Sequence, residues 1–240
     1  MVCAGSLVGY AVVSLGLLLT GVCRIPENVR FVQSDFESEW ALGKDSFDLI
    51  HLRTGVGSVS SWPSLFRRVF GYVLRTQDLP FVIVLIHACP LSHLKSGFGW
   101  FEFVDFDLEL FSDDGSLSQK SALVQWQNIL FDATSSTGKS FRYPKRIREM
   151  LQEAKFIDIQ QVTLRVPINT WPTDPYMKDC GRWFGLGLIE GLEGLSLGPF
   201  TRVLGWNEMD VKNYLGAVKK DIQNKNIRAY CNVLVPLPND

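Results

Sequence analysis

Apolar positions between Ser46 and Phe70 change their period once, and that change gives the clearest local structure in the chain. Phe47 to Leu52 is a short apolar run of the length of a buried strand. Beyond Gly55 and Gly57, the residues Trp62, Leu65, Phe66, Val69, Phe70 and Val73 recur at the spacing of one buried helical face. Ser60 and Ser61 stand where a helix is capped, and Pro63 suits the first turn, where its missing N–H costs nothing. Strand, glycine turn and helix in this order form the unit from which ligand-binding α/β sheets are built.

The same reading extends along the chain. Asn28 to Gln33 alternates as a strand, and Gly99 to Leu110 alternates again, with Glu102, Asp105, Asp107 and Glu109 set between aromatics. Leu123, Trp126, Ile129, Leu130 and Ala133 predict a helix, and Ile147, Met150, Leu151 and Ala154 predict another within Pro144–Lys155. Phe156 to Val166 reads as a strand whose alternation changes phase near Gln160 and Gln161, the mark of a bulge. Asn169 to Cys180 is turn-rich, and Gly181 to Phe200 reads as a helix whose glycines permit close packing and which caps a pocket. A helix opened by Asn207 or Glu208 and a last strand within Ile227–Leu237 complete the pattern.

Two apolar stretches do not fit it. Met1 to Cys23 carries no charged side chain; it is long enough for a membrane helix, which needs ~20 apolar residues, or holds a buried strand such as Ala11–Leu15. Phe81 to Ile86, bracketed by Pro80 and Pro90, reads as an extra strand.

Composition narrows the function classes. The 24 basic and 25 acidic residues leave a net charge of −1, without the basic surplus of a nucleic-acid binder. Cys3, Cys23, Cys89, Cys180 and Cys231 are scattered and odd in number, which fits a reducing compartment, cytoplasmic or nuclear. Neither these cysteines nor His51, His87 and His93 make a metal-ligand pattern.

Candidate chemistry sits in the turns. Gly55-Val56-Gly57 is either a phosphate loop or a plain tight turn; Ser60 stands where a third glycine belongs, which favours the turn. Thr137-Gly138-Lys139-Ser140 has neither the first glycine nor the preceding strand of a P-loop. Asp35, Glu37 and Glu39 cluster after a strand, either as a solvated loop or as carboxylates at a ligand-binding strand end. The carboxylates of 102–109 are candidate general bases and, equally, the polar face of a strand.

The segments PENVRFVQSDFESEW, SFDLIHLR, SVSSWPSLFRRVF, FDLELFSDDGSL, ALVQWQNIL and EGLEGLSLGPFTRVLGW, in that order, resemble the fungal LaeA-like methyltransferases. The resemblance implies a class I, S-adenosylmethionine-dependent enzyme linked to secondary metabolism. It implies an α/β fold with a mostly parallel Rossmann-like sheet, in which 29–33 and 47–52 are the third and fourth strands. It places Asp35, with Phe36 beside it, at the adenine of the cofactor, and His51 and Arg53 near its methionine portion. The implied partners are a small-molecule acceptor and, for a non-catalytic homologue, a protein partner; residues 2–22 are the segment for membrane association.

This sequence departs from that family in two places. No D-x-G-x-G-x-G-like run precedes Arg24, and Gly16 falls where the ribose-binding carboxylate belongs, so the usual first strand and glycine loop are expected to be missing. A lost hydrogen bond to a charged group costs roughly 1.5–3 kcal/mol, so the ribose carboxylate alone accounts for about one to two orders of magnitude in affinity. Residues 76–95 interrupt the match. The expected organisation is an atypical apolar segment over 1–25 and a methyltransferase-like domain over 26–240 carrying that insertion, with activity either impaired or replaced by a binding role.

Overall fold

The computed structural model describes residues 2–6, 9–14, 29–33, 35–40, 47, 49–73, 82–84 and 99–235. Its strands are β1 (Val2–Ser6), β2 (Gly9–Ser14), β3 (Val29–Gln33), β4 (Leu49–Arg53), β5 (Val82–Val84), β6 (Gly99–Phe111), β7 (Ile157–Ile159), β8 (Val162–Pro167) and β9 (Tyr230–Val235). They form one sheet, with β3, β2, β1, β4 and β6 side by side in that order.

β6 is long enough to have different neighbours at its two ends. Its first part lies between β4 and β5, parallel to both; its second part pairs antiparallel with β9, which in turn pairs antiparallel with β8. β5, from the unmatched 76–95 stretch, joins β6 to β7 in parallel, so it continues the slot that β9 occupies higher up. The bulge expected at Gln160–Gln161 is a full break between β7 and β8.

The slot between β2 and β4 holds β1, antiparallel to both. The sheet is therefore continuous where the sequence suggested a missing strand, but this strand runs opposite to the rest of its half: β3 is parallel to β2 and β4 to β6. A strand in that slot satisfies the backbone groups that β2 and β4 would otherwise leave open. Residues 2–6 and 9–14 of the apolar N-terminal segment are thus sheet strands, and among the described residues no helix is long and apolar enough to cross a membrane. Gly16 lies outside the described residues.

The helices are α1 (Trp62–Tyr72), α2 (Ala122–Ser135), α3 (Ile147–Glu153), α4 (Pro175–Gly198) and α5 (Glu208–Gln223), with a π-helical turn at Pro199–Val203. One core joins α1 and α3 to the sheet: Ile50 and Leu52 of β4 and Phe101 and Phe103 of β6 meet Leu65, Phe66 and Val69 of α1. A second core gathers Leu123, Trp126 and Leu130 of α2, Leu192 of α4, and Val211, Leu215 and Val218 of α5 around Ile168 and Ala229.

α4 begins six residues earlier than its glycine pattern indicated. Asp174 caps it, its Oδ1 accepting from the Met177 N–H at 2.8 Å, and Pro175 takes the first turn. Gly181 and Gly185 then let the helix ride on the end of β8: a Cβ on either would stand 2.1 Å from the Asn169 carbonyl oxygen or 2.4 Å from that of Ile168.

Candidate functional site

β3, β4 and β6 run the same way, so the segments that follow β3 and β4 leave the sheet at one edge, and the segment after β4 meets the middle of β6. Arg53 is opposite Val104, and Asp105 comes next on β6. Asp105 is 1% exposed. Its Oδ2 accepts from the N–H groups of Gly55 and Val56 at 2.8 and 2.9 Å, and its Oδ1 from the Phe106 N–H at 2.8 Å. The Gly57 N–H goes to the Ser140 carbonyl at 3.1 Å. All three N–H groups of Gly55-Val56-Gly57 are therefore spent inside the protein, and the segment is a tight turn with nothing left to cradle phosphate. Gly57 is required there: its φ is +80°, and a Cβ would meet the Phe141 ring at 2.7 Å.

Burial pushes the Asp105 carboxyl up to about 6, against the three N–H donors that favour its anion. Burial raises Asp107 as well, against the Glu109 N–H that favours its anion. Tyr143, whose ring stacks on Phe103 with centroids 6.4 Å apart, is held neutral by burial and by the carboxylates of Asp105 and Asp107. Sequence reasoning placed Asp105 among four equivalent carboxylates and passed over Tyr143. The signal was parity: 105 shares the face of Phe101 and Phe103, so it had to point into the core.

The acidic loop after β3 divides its labour. Phe36 is buried against α1, its carbonyl accepting from the Trp40 indole at 3.0 Å and the Arg68 guanidinium at 3.4 Å. Asp35 is exposed and closes its own turn, its Oδ1 accepting from the Glu37 N–H at 2.9 Å. Glu37 caps α1: Oε1 accepts from the N–H groups of Ser60 at 2.7 Å and Ser61 at 3.3 Å, and Oε2 from the Ser60 hydroxyl at 2.8 Å. The cap assigned to the Ser60 and Ser61 side chains thus comes from a carboxylate 23 residues upstream, because a charge-assisted bond to a helix N-terminus is stronger than a hydroxyl one. Ser61 sits at the N-cap without a side-chain bond to the helix backbone.

His51 and Arg53 lie on the other face of β4 from Ile50 and Leu52. His51 Nδ1 is 2.5 Å from Oε2 of Glu102, directly opposite on β6. Arg53 is exposed at the strand end. Two cavities lie beyond β8: one of about 280 Å³ walled by Gly181, Gly185 and Ile189 of α4 with Ile168 and Ile222, and one of about 240 Å³ beside Arg165, Trp171 and Tyr230. α4 therefore walls a cavity.

Comparison with known proteins decides the family. The chain is 43% identical over 223 residues to the secondary metabolism regulator LAE1 of Cochliobolus heterostrophus, covering 91% of this chain and 66% of that protein. It is 37% identical over 212 residues to the protein-methionine methyltransferase laeA of Emericella nidulans, covering 87% of this chain and 50% of that one. The chain belongs to the LaeA-like methyltransferase family. It spans about half to two thirds of the length of these relatives. No family model matches it. Among solved structures it overlaps the Haemonchus contortus phosphoethanolamine N-methyltransferase 2 at TM-score 0.36 and 14% identity, over 88% of this chain and 38% of that one. Overlap at that score decides nothing about function.

LaeA-like proteins are class I methyltransferases that use S-adenosylmethionine, so this chain's carboxyl edge can be tested against that cofactor. In the class I plan the cradle is a glycine loop leaving the strand between β2 and β4 at the carboxyl edge. Here that strand is β1, and its reversed direction puts its amino end, not its carboxyl end, beside Leu52. Among the described residues, no loop leaves that strand's carboxyl end beside Leu52.

Proposed function

We propose that this chain serves fungal secondary metabolism as an S-adenosylmethionine-dependent methyltransferase of reduced cofactor affinity. The reading is carried by the relation to LaeA and LAE1 across nearly the whole chain. It is supported by the edge where the post-β4 turn closes on Asp105 and the post-β3 loop closes on the residues that lead into α1. Asp35 and Phe36 would border the adenine, and His51 and Arg53 the methionine portion. A relative named as a protein-methionine methyltransferase makes a thioether one acceptor to test beside the small-molecule acceptor that a metabolic role implies. Isothermal titration with S-adenosylmethionine, together with transfer of a labelled methyl group, tests the reading. Weak saturable binding with transfer supports it, and binding without transfer refutes it.

A second reading, that of a cofactor-free binding or regulatory partner, is favoured by one observation, the antiparallel β1 in the cradle's slot. Photo-crosslinking with labelled cofactor separates the two: this reading requires that no label be incorporated.

A further inference from the structure

We infer that His51 and Glu102 form a proton-accepting pair, and that the acceptor of this site is therefore an O–H or N–H compound and not a thioether. The inference rests on the methyl-transfer reading and adds the substrate class to it. An ionised carboxylate can only accept hydrogen bonds, so the 2.5 Å contact between His51 Nδ1 and Glu102 Oε2 requires a proton on Nδ1. In the neutral ring the lone pair is then left on Nε2, and Nε2 has no hydrogen-bond partner among the described residues. The side chains are 23% and 18% exposed, so the pair is reachable yet sheltered enough for the carboxylate to hold the ring.

Glu102 is directly opposite His51 on the neighbouring parallel strand, which fixes the ring from below. A proton acceptor there suits an oxygen or nitrogen that gives up a proton. A thioether has no proton to lose and does not need one.

The O–H or N–H bond of the acceptor breaks, its electron pair stays on oxygen or nitrogen, and the proton forms a new bond to His51 Nε2. The resulting imidazolium faces the Glu102 carboxylate, which offsets its charge. Glu102 acts through His51 and is a positioning residue.

Carbethoxylation by diethyl pyrocarbonate, mapped by peptide mass spectrometry, reads the Nε2 lone pair without any cofactor. His51 should react, and Glu102→Ala, which frees the ring from its fixed tautomer, should change that rate; Glu102→Gln, which keeps an acceptor oxygen, should restore most of it. An inert His51, or equal rates in all three proteins, overturns the inference. With S-adenosylmethionine supplied, a simple catechol and N-acetylmethionine are compared as acceptors. Methylation of the catechol that falls about 100-fold or more in His51→Gln supports the inference. Methylation of the thioether alone overturns it and leaves the methyl-transfer reading standing. Neither acceptor methylated, with His51 still reactive, supports the pair and refutes that reading.

Discussion

At the scale of single residues, two carboxylates hold the carboxyl edge together. Asp105 is the more consequential. Its folded pKa of about 6 lies above the ordinary 3.8, so the folded protein binds this proton more tightly than the unfolded chain. The stability from that difference is fully present below the unfolded value and is lost as pH rises through about 6. At 1.36 kcal/mol per unit, the difference is worth roughly 3 kcal/mol. Urea unfolding of wild type between pH 4 and 7 should show this decline, and Asp105→Asn, which cannot titrate, should flatten it. An unchanged slope in the variant would assign the decline to other groups. Glu37→Ala should cost about 1 kcal/mol, the usual loss for a removed helix cap, read as a lower urea midpoint at constant m. The buried place of Asp105 was legible from strand parity. The cap from Glu37 was not, because nothing local marks a carboxylate that closes on a helix 23 residues away.

At the scale of elements, periodicity carried most of the fold, and close packing explains what it could not reach. The α1 face, the α2 face and the strand at Gly99 are where the apolar spacing put them, since each buries one continuous stripe. The start of α4 was missed although Asp174-Pro175 is a good opening signal, because Trp171, Pro172 and Thr173 made the whole approach look like turn. The glycine-rich character of α4 was read as close packing, and Gly181 and Gly185 show why. Gly181→Ala should destabilise by about 1–3 kcal/mol, since its Cβ would overlap the Asn169 carbonyl, although alanine favours helix. Gly187, where a Cβ would have no neighbour within 4 Å, is the control: Gly187→Ala should stabilise by up to about 1 kcal/mol. Thermal melts of the pair settle the comparison; the same sign in both would mean that helix propensity, and not the contact with β8, governs these positions.

At the scale of the whole molecule, the sheet order of a nucleoside-cofactor fold is present while one strand in it is reversed. β1 keeps β2 and β4 paired, which accounts for a continuous sheet without the glycine loop. Sequence pattern could report that the loop's residues were missing, because glycine spacing is local. It could not report what fills the slot, because an apolar run such as Val2–Ser6 carries no mark of its direction. Direction is measurable. Antiparallel pairing of Val2–Ser6 with Leu49–Leu52 brings alternate Hα atoms of the two strands face to face, so long-range Hα–Hα Overhauser contacts should link Cys3 or Ala4 with Ile50 or His51. A parallel pair would not produce them. The same reversal governs cofactor affinity: with the ribose carboxylate alone worth about one to two orders of magnitude, S-adenosylmethionine should bind this chain well above the micromolar range in calorimetry. Micromolar binding together with the Hα–Hα contacts would mean that the walls after β3 and β4 hold the nucleoside without a glycine cradle. Micromolar binding without those contacts would mean that β1 is not the strand in the slot.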